Sequence, residues 1–289
     1  MIVLNYTNLE TSLTAISHIK AFEADTPSEN CPSDDGDKHT TPPPSEWPQA
    51  GRVSFQAITV NYPPPGTEQA SPVVQDLTLE VPAGRKVAIC GRSGSGKSTL
   101  LGALTRMVNP ASGTIRIDGI DMGSLRPSVV RSAINTIPQE PLFFHSTVAA
   151  NLDPTGTCSN EALYAALNKV HMGKAVEDAG GLYAATTLDN LSQGQKKLLA
   201  LARAILKPSK IVLMDEATSS VDQHTANMMK QVIRDEFEGV TVIAVAHQLN
   251  TILDFDVVVV MDGGRIAETG NPAQLLNSKS LFKDLWDIR

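Results

Sequence analysis

The chain has 289 residues, of which 42% are hydrophobic, as is ordinary for a folded protein with a sizeable core. Its 24 Lys and Arg against 31 Asp and Glu give a net charge of −7, which disfavours nucleic acid as a partner because phosphate backbones require clustered positive charge. Three widely spaced cysteines predict neither a disulfide framework nor a zinc site. With no apolar run of roughly 18 residues and no basic secretion signal, this polypeptide alone is expected to be soluble and cytoplasmic.

The first predicted element is an amphipathic helix in residues 1–25. Thr7 and Glu10 have the spacing of a capping box. Residues 26–48 are polar, acidic and rich in proline, which is typical of an extended linker. The folded domain is therefore expected over residues 49–289. The helix is predicted from apolar residues that recur at three- and four-residue steps along one side, at Leu9, Leu13, Ile16, Ile19 and Phe22.

Alternating apolar and polar residues predict half-buried antiparallel strands at the start of this domain. The pattern occurs between residues 51 and 84, and Ile115 and Ile117 repeat it before a turn at Asp118 and Gly119. Residues 148–207 lack long β-branched runs and have helical spacing, so we expect a helical insert there.

Short, continuously apolar runs predict the buried strands of a parallel sheet. Strands that alternate with helices indicate an α/β fold, joined here to the antiparallel β subdomain and to the helical subdomain. The apolar runs are residues 86–90, 211–214, 240–246 and 257–261, and helices are expected at 98–107 and 223–237.

A glycine-rich turn, Gly-Arg-Ser-Gly-Ser-Gly-Lys-Ser at residues 91–98, follows the first of these runs. Glycines let backbone N–H groups wrap a polyphosphate, and a helix N-terminus adds its positive dipole end. Lys97 is expected to reach the β and γ phosphates, Ser98 to coordinate Mg²⁺, and Thr99 to add a phosphate contact. We therefore predict an ATP or GTP site formed by Gly91, Arg92, Ser93, Gly94, Ser95, Gly96, Lys97, Ser98 and Thr99.

Two carboxylates, Asp215 and Glu216, end the apolar run at 211–214. Ligands in open α/β sheets lie at the carboxyl ends of the strands. We expect Asp215 to orient Mg²⁺ through water and Glu216 to act as the general base for the attacking water. An acidic pair that merely ends a strand is the alternative, and the presence of the glycine-rich turn disfavours it.

Residues 191–195, Leu-Ser-Gln-Gly-Gln, resemble the signature motif of ATP-binding-cassette (ABC) ATPases. Ser192 is placed to cap the following helix, and with Gly194 and the helix dipole it offers a second anion site. Further residues fall where this family has its Q-loop, D-loop, switch histidine and adenine-stacking aromatic; in that order they are Gln139, Asp222, His247 and Tyr62.

The resemblance covers residues 51–276 and implies a P-loop NTPase with a RecA-like parallel sheet that binds ATP and Mg²⁺ and hydrolyses the nucleotide. It implies that Tyr62 stacks on adenine, that Gln139 coordinates the metal and senses the γ-phosphate, and that His247 stabilises the transferring phosphoryl group. Loop packing for Tyr62 and a structural strand-end role for His247 remain alternatives.

The same resemblance implies a partner. Ser192, Gly194 and Gln195 are implied to act on the ATP of a second nucleotide-binding domain, in a homodimer or a heterodimer that closes when ATP binds. Neither surface alone neutralises a triphosphate, so closure is expected to depend on the γ-phosphate.

The finer resemblance is to the second nucleotide-binding domain of the multidrug-resistance-associated (C) subfamily, in its fungal-type form. Residues 51–55, 215–222 and 246–252 carry it, and residues 9–27 look like the cytoplasmic end of that subfamily's last membrane helix. This implies a transmembrane domain in cis or in trans, a place at the cytoplasmic face of a membrane, and export of an unidentified substrate. A truncated, transport-incompetent fragment and a soluble ABC ATPase are the alternatives.

Two residues depart from the family's pattern. Gln193 stands where many members have Gly, and Gln248 stands where Arg is usual. A hydrolysis-competent site is nevertheless expected, because the residues assigned to the chemistry are all present, namely Lys97, Gln139, Asp215, Glu216 and His247.

Overall fold

The computed structural model of the chain describes residues 2–26, 42–62, 71–184, 191–246 and 248–287. The chain divides into two units, Met1–Thr40 and Thr41–Arg289. Among the described residues, no helix combines the length and the apolar content that a membrane crossing requires.

The first unit contains helix α1, Ile2–Asp25. It begins before Thr7, so the helix start that the spacing of Thr7 and Glu10 indicated was wrong. Its hydrophobicity is spread almost evenly around the helix axis, so the prediction of an amphipathic helix was wrong for α1 as a whole. Leu13 and Phe22 are 57% and 72% exposed. The likeness of this segment to the end of a membrane helix stays a prediction.

The second unit is a mixed α/β domain. Its strands are β1 (Val53–Tyr62), β2 (Ser71–Val81), β3 (Lys86–Gly91), β4 (Ser112–Ile117), β5 (Ile120–Asp121), β6 (Ile134–Ile137), β7 (Ile211–Asp215), β8 (Thr241–Val245), β9 (Val257–Asp262) and β10 (Arg265–Gly270). Its helices are α2 (Lys97–Leu104), α3 (Pro127–Ala133), α4 (Val148–Leu152), α5 (Asn160–Lys169), α6 (Gly173–Asp178), α7 (Gln193–Leu206), α8 (Gln223–Glu236), α9 (Pro272–Leu276) and α10 (Leu281–Asp287).

A 6-stranded sheet forms the centre of this unit, in the order β10-β9-β3-β8-β7-β6. The neighbours from β9 to β6 run parallel, and β10 is antiparallel to β9. The middle strands are continuously apolar because helices cover both faces of such a sheet. Since the carboxyl ends of parallel strands meet at one edge, the residues that follow β3, β6 and β7 are brought together there.

A second, 4-stranded antiparallel sheet has the order β2-β1-β4-β5. Phe55 of β1 pairs with Leu79 of β2 and with Ile115 of β4, and all three side chains are buried in one core. This confirms the antiparallel subdomain predicted from the alternating pattern. The subdomain also meets the parallel sheet, because Gln75 N donates to Gly264 O at 2.9 Å.

The helical subdomain lies between β6 and β7 and contains α4 to α7. Helix α7 buries most of its length in a core that it shares with α4 and α5, where Leu163, Leu167 and Leu201 are nearly inaccessible to solvent. The helices α4 to α7 agree with the predicted helical insert, whose bounds at 148–207 stay a prediction; residues 185–190 lie outside the described residues.

Two parts of the fold differ from the prediction. Trp47, placed in the predicted linker, packs against the core of the β subdomain and donates its Nε1–H to Ile117 O at 3.1 Å, so the folded unit begins before residue 49. Residues 27–41 of that linker lie outside the described residues. Strands β6 and β10 were missed, because β6 is short and contains Asn135 and Thr136, and β10 is an edge strand with polar alternate residues.

Candidate nucleotide site

The glycine-rich turn connects β3 to α2 with a backbone that side chains would obstruct. Gly91, Gly94 and Gly96 have φ of 146°, 78° and 96°. A Cβ at Gly91 would lie 2.2 Å from Met261 O, and one at Gly96 would lie 3.0 Å from Val73 O. Around Gly94 no described atom lies within 4 Å of that position. Two glycines are thus required by close backbone approach, while the third borders open space.

The interior of the turn carries a buried cation and a buried hydroxyl. Lys97 is 5% exposed, and its Nζ donates to Gly91 O at 3.1 Å and to Arg92 O at 2.8 Å. Ser95 is 4% exposed, and its Oγ has no hydrogen-bond partner in the described part of the chain. A buried hydroxyl without a partner is unfavourable, so the turn fits a ligand that supplies acceptor oxygens.

A cleft of about 510 Å³ opens in front of the turn. Helix α2 begins there, and its N-cap, Gly96, provides no side-chain acceptor for the first-turn N–H groups. Those groups and the helix dipole favour an anion at this position. The described lining residues are Val73, Ser93, Gly94, Gly96, Lys97, Ser98, Thr99 and Glu216.

The sheet edge delivers a glutamine and a glutamate to this cleft. Gln139 follows β6 and Glu216 follows β7, and Gln139 Nε2 donates to Glu216 Oε2 at 2.9 Å. Glu216 has a left-handed φ of 47°, and its own N–H donates to Val245 O at 3.0 Å. The structure therefore brings together the two residues that the sequence analysis assigned to γ-phosphate sensing and to base catalysis.

The donors predicted for Mg²⁺ are the Ser98 hydroxyl, the Gln139 amide oxygen and the Asp215 carboxylate. These are hard oxygen ligands, the type that Mg²⁺ prefers. Among the described residues there is no group of three or more His, Cys, Asp and Glu that could hold a metal ion. The hydroxyl, amide and carboxylate oxygens of the predicted donors fit Mg²⁺ by their chemistry.

The signature residues lie at the start of α7. The Ser192 Oγ accepts from Gln195 N at 3.2 Å, and the Gln195 side chain accepts from Ser192 N at 2.9 Å, which completes a capping box. None of Ser192, Gly194 and Gln195 is among the described residues that line the phosphate cleft. Their separation from the cleft agrees with a role toward a different nucleotide.

Asp222 caps the next long helix, α8. Its Oδ1 accepts from Thr225 N at 3.0 Å and its Oδ2 from Thr225 Oγ1 at 2.6 Å. These hydrogen bonds from Thr225 hold the pKa of Asp222 below its ordinary value. Gly194 lies against the same threonine, since a Cβ on it would be 3.2 Å from Thr225 Cγ2. The signature loop and the cap of α8 are therefore in contact.

Of the two remaining predicted residues, the structure describes Tyr62 and not His247. Tyr62 ends β1, is 40% exposed, and pairs with Ser71 of β2, two residues before the cleft-lining Val73. Its stacking role stays a prediction. His247 lies outside the described residues, so its role also stays a prediction.

Sequence reasoning missed Lys197, a lysine on the buried side of α7 that contacts the turn beginning at Glu216. The available signal was a charged residue directly before the apolar run 198–202, on a helix whose spacing demands burial. It also missed Val73, whose place in the cleft depends on how β2 meets the glycine-rich turn.

These features together define a P-loop ATPase of the ABC type: a glycine-rich turn between a strand and a helix, a glutamate after β7 that lines the same cleft, and a separate capped signature loop. The family model for ABC transporters matches residues 74–219, just over half of the chain. The chain belongs to the ABC transporter family, as an ATP-binding and ATP-hydrolysing domain.

The relatives of this chain include fungal ABC transporters. The chain is 45% identical to ABC transporter gloK of Glarea lozoyensis, over 98% of this chain and 21% of that protein. It is 41% identical to ABC multidrug transporter B of Aspergillus fumigatus, over 98% of this chain and 19% of that protein. A plant relative, ABC transporter C family MRP4 of Zea mays, is 37% identical over 96% of this chain and 18% of that protein. The chain thus spans about a fifth of the length of these relatives.

A solved structure has the same fold. A bacterial Atm1-family ABC exporter with ATP bound superposes with a TM-score of 0.76 at 31% identity, covering 83% of this chain and 42% of that one. The fold predicted from the sequence, a P-loop NTPase with a β subdomain and a helical subdomain, is confirmed.

Proposed function

We propose that this chain is the second nucleotide-binding domain of a C-subfamily ABC exporter, and that it hydrolyses MgATP to drive export through a transmembrane domain. The observation that carries the proposal is the hydrogen bond from Gln139 to Glu216, which holds a carboxylate at the wall of the cleft that Lys97, Ser98 and Thr99 also line. The subfamily is supported by the name of the Zea mays relative, ABC transporter C family MRP4.

The chemistry follows from the residues around the cleft. The N–H groups of the turn, Lys97, Ser98 and Thr99 bind the phosphates and orient the γ-phosphoryl group for in-line attack. Ser98, Gln139 and Asp215 would hold Mg²⁺, which would supply positive charge to neutralise the phosphate oxygens. Gly91, Arg92, Ser93, Gly94, Ser95 and Gly96 supply the remaining wall of the phosphate site.

Glu216 accepts a proton from the attacking water, and Gln139 holds its carboxylate by the hydrogen bond at 2.9 Å. His247 stabilises the charge that develops on the transferring phosphoryl group. Tyr62 stacks on adenine at the open end of β1. Each of these roles is part of the proposal.

A second nucleotide-binding domain completes the site. Ser192, Gly194 and Gln195 lie away from the cleft of their own chain and act on the ATP of the partner domain, a copy of this chain or a different cassette. Asp222 contacts that interface through the D-loop. Because the γ-phosphate links the two surfaces, ATP binding closes the pair and hydrolysis opens it.

A membrane-domain partner is supported by exposed apolar side chains beside the cleft. Leu142 and Phe144 are 70% and 56% exposed and follow Gln139 closely in the chain. Arg203 of α7 holds this segment, since its Nη1 donates to Leu142 O at 3.1 Å and its guanidinium lies 5.0 Å from the Phe143 ring centroid. A partner that covers the two apolar residues would be linked directly to the residue that senses the γ-phosphate.

The relatives are named as transporters, and the solved relative is an exporter. This favours transport over a soluble, non-transport ATPase, and the negative charge of the chain gives no support to a nucleic-acid partner. The transmembrane domain acts in cis or in trans, so the domain works at the cytoplasmic face of a membrane. Contacts within that membrane domain select the exported substrate.

Nucleotide binding and turnover of the purified 289-residue chain test the proposal. We expect Mg-dependent ATP binding by calorimetry, specific activity that rises with protein concentration, and an ATP-dependent dimer in size-exclusion chromatography. Absence of Mg-dependent ATP binding would overturn the ATPase assignment. Specific activity independent of concentration would overturn the shared site. A fragment that binds ATP but neither pairs nor hydrolyses would support the alternative of a transport-incompetent piece.

A further inference from the structure

Lys197 is a charged residue on the buried side of α7. It is 4% exposed and is followed by the buried residues Leu198 and Leu199. Burial lowers the pKa of its ammonium, and the carboxylates of Glu216 and Glu140 act in the opposite direction. A buried ammonium is costly unless its protons are bound, so its acceptors indicate why a lysine is tolerated there.

Its acceptors all belong to the turn that begins at Glu216. The Lys197 Nζ donates to Ser219 O at 2.5 Å, to Ser219 Oγ at 3.1 Å and to Glu216 O at 3.3 Å. The turn is closed by Ser219 N, which donates to Glu216 O at 2.9 Å. The three protons of the ammonium thus have three acceptors on the inner side of one turn.

The backbone of this turn needs such support. Glu216 and Ser220 have left-handed φ of 47° and 57°, which is unfavourable for residues that carry a Cβ and persists only where the surroundings impose it. The same φ directs the Glu216 side chain to the cleft, where it meets Gln139. The conformation that strains the backbone is therefore the one that places the carboxylate.

We infer that Lys197 is a positioning residue for ATP hydrolysis, whose ammonium holds the turn from Glu216 to Ser219 so that the Glu216 carboxylate points into the phosphate cleft. The inference rests on the proposed role of Glu216. Because Lys197 and the signature serine, Ser192, belong to the same N-terminal part of α7, it also links the surface that meets a partner's ATP to the base of its own site. A shift of α7 when the pair closes would be transmitted to the base.

Lys197→Met tests this role, because methionine has an unbranched side chain of similar length but lacks the positive charge and the three N–H donors of lysine. We expect kcat to fall at least about tenfold while the KM for ATP stays within about twofold, since phosphate binding does not involve Lys197. In hydrogen exchange without nucleotide, the Ser219 amide should exchange faster than in the wild type. Lys207→Met is the matched control, because Lys207 Nζ donates to Ile134 O at 2.8 Å, away from the cleft; its turnover should be unchanged.

A double-variant cycle separates positioning from a general loss of structure. In a Glu216→Gln background, Lys197→Met should reduce turnover by less than about twofold, because the carboxylate that it places is already gone. Equal effects in both backgrounds would show a merely structural lysine and overturn the inference. If Lys197→Met does not fold, Lys197→Gln, which keeps a donor without the charge, is measured in the same way.

The outcome is distinguishable from failure of the proposed function. Wild-type turnover that Glu216→Gln abolishes, together with full activity of Lys197→Met, would refute the inference and leave the ATPase assignment intact. Turnover that Glu216→Gln leaves unchanged would instead remove the base assignment itself.

Discussion

Gln139 and Glu216 are 77 positions apart in the chain, and Gln139 Nε2 donates to Glu216 Oε2 at 2.9 Å. One residue follows β6 and the other follows β7, which are neighbouring parallel strands. The contact holds both side chains at the sheet edge. The effect on turnover of replacing one residue should therefore depend on whether the other is present.

Glu216→Gln removes the proposed base and keeps the size of the side chain. We expect turnover to fall about 10² to 10⁴-fold, while MgATP binding, which depends on the glycine-rich turn and Lys97, survives. Phosphate release and calorimetry measure the two quantities. Hydrolysis at the wild-type rate would be incompatible with the assignment.

Gln139→Ala removes the donor to the base, and we expect turnover to fall about tenfold, the effect of losing one hydrogen bond to a charged group. Gln139→Glu places a second carboxylate at the same distance. Because two adjacent carboxylates do not ionise together, the pKa of one should rise, so this variant should be less active than the alanine variant at neutral pH and recover in part at higher pH. A pH–rate profile identical for both variants would contradict the contact.

Gly91→Ala should destabilise the domain by about 3 kcal/mol or more, since its Cβ would lie 2.2 Å from Met261 O and force β3 away from β9. Gly119 has φ of 81° and no described atom within 4 Å of its Cβ position. Gly119→Ala is therefore the control, with an expected cost of about 1 kcal/mol from the backbone alone. Urea unfolding compares them, and equal midpoints would show that the close approach has no energetic weight.

Asp118 should make the domain acid-sensitive. Burial raises the pKa of its carboxyl, but N–H donors of Gly51, Ala50 and Arg52 outweigh burial and hold the pKa below its ordinary value. A carboxyl with a lowered folded-state pKa stabilises above the unfolded pKa of about 4 and loses that contribution as the pH falls through the folded value.

Asp118→Asn should therefore lower the free energy of unfolding at pH 7 by about 1 kcal/mol. Below about pH 5, the free energy of unfolding of this variant should fall less with decreasing pH than that of the wild type. Asp262→Asn, at an exposed hairpin position, is the control. Parallel stability curves for wild type and Asp118→Asn across the acid range would contradict the expectation.

The sequence predicted those features that are local. The backbone conformation of the apolar run at 86–90 and of the glycines that follow it is determined by these residues themselves. The strand, the turn and the helix therefore occur where they were predicted. The N-terminal helix was predicted over residues 1–25, close to the bounds of α1, but α1 has no single apolar face. Trp47 was missed because its neighbours have the composition of a linker, whereas its partner, Ile117, is distant in the chain.

Contacts between segments that are distant in the chain could not be predicted from the sequence. The acidic pair and Gln139 were identified separately, but the hydrogen bond between them depends on the order of strands in the sheet. The contact of Lys197 with Ser219 O depends on how α7 lies against the turn after β7. No periodicity contains that information, since the contact joins a side chain of α7 to a backbone carbonyl in a different segment of the chain.

The order of strands also governs when the domain is able to hold nucleotide during its synthesis. Strand β3 ends at Gly91, but its two hydrogen-bonded neighbours are β8 and β9, which the ribosome makes much later. A nascent chain that has emerged only as far as α7 contains the complete glycine-rich turn but lacks β8 and β9, the two strands that pair with β3. We therefore expect ATP to stabilise the domain only once β8 and β9 have been synthesised and have paired with β3.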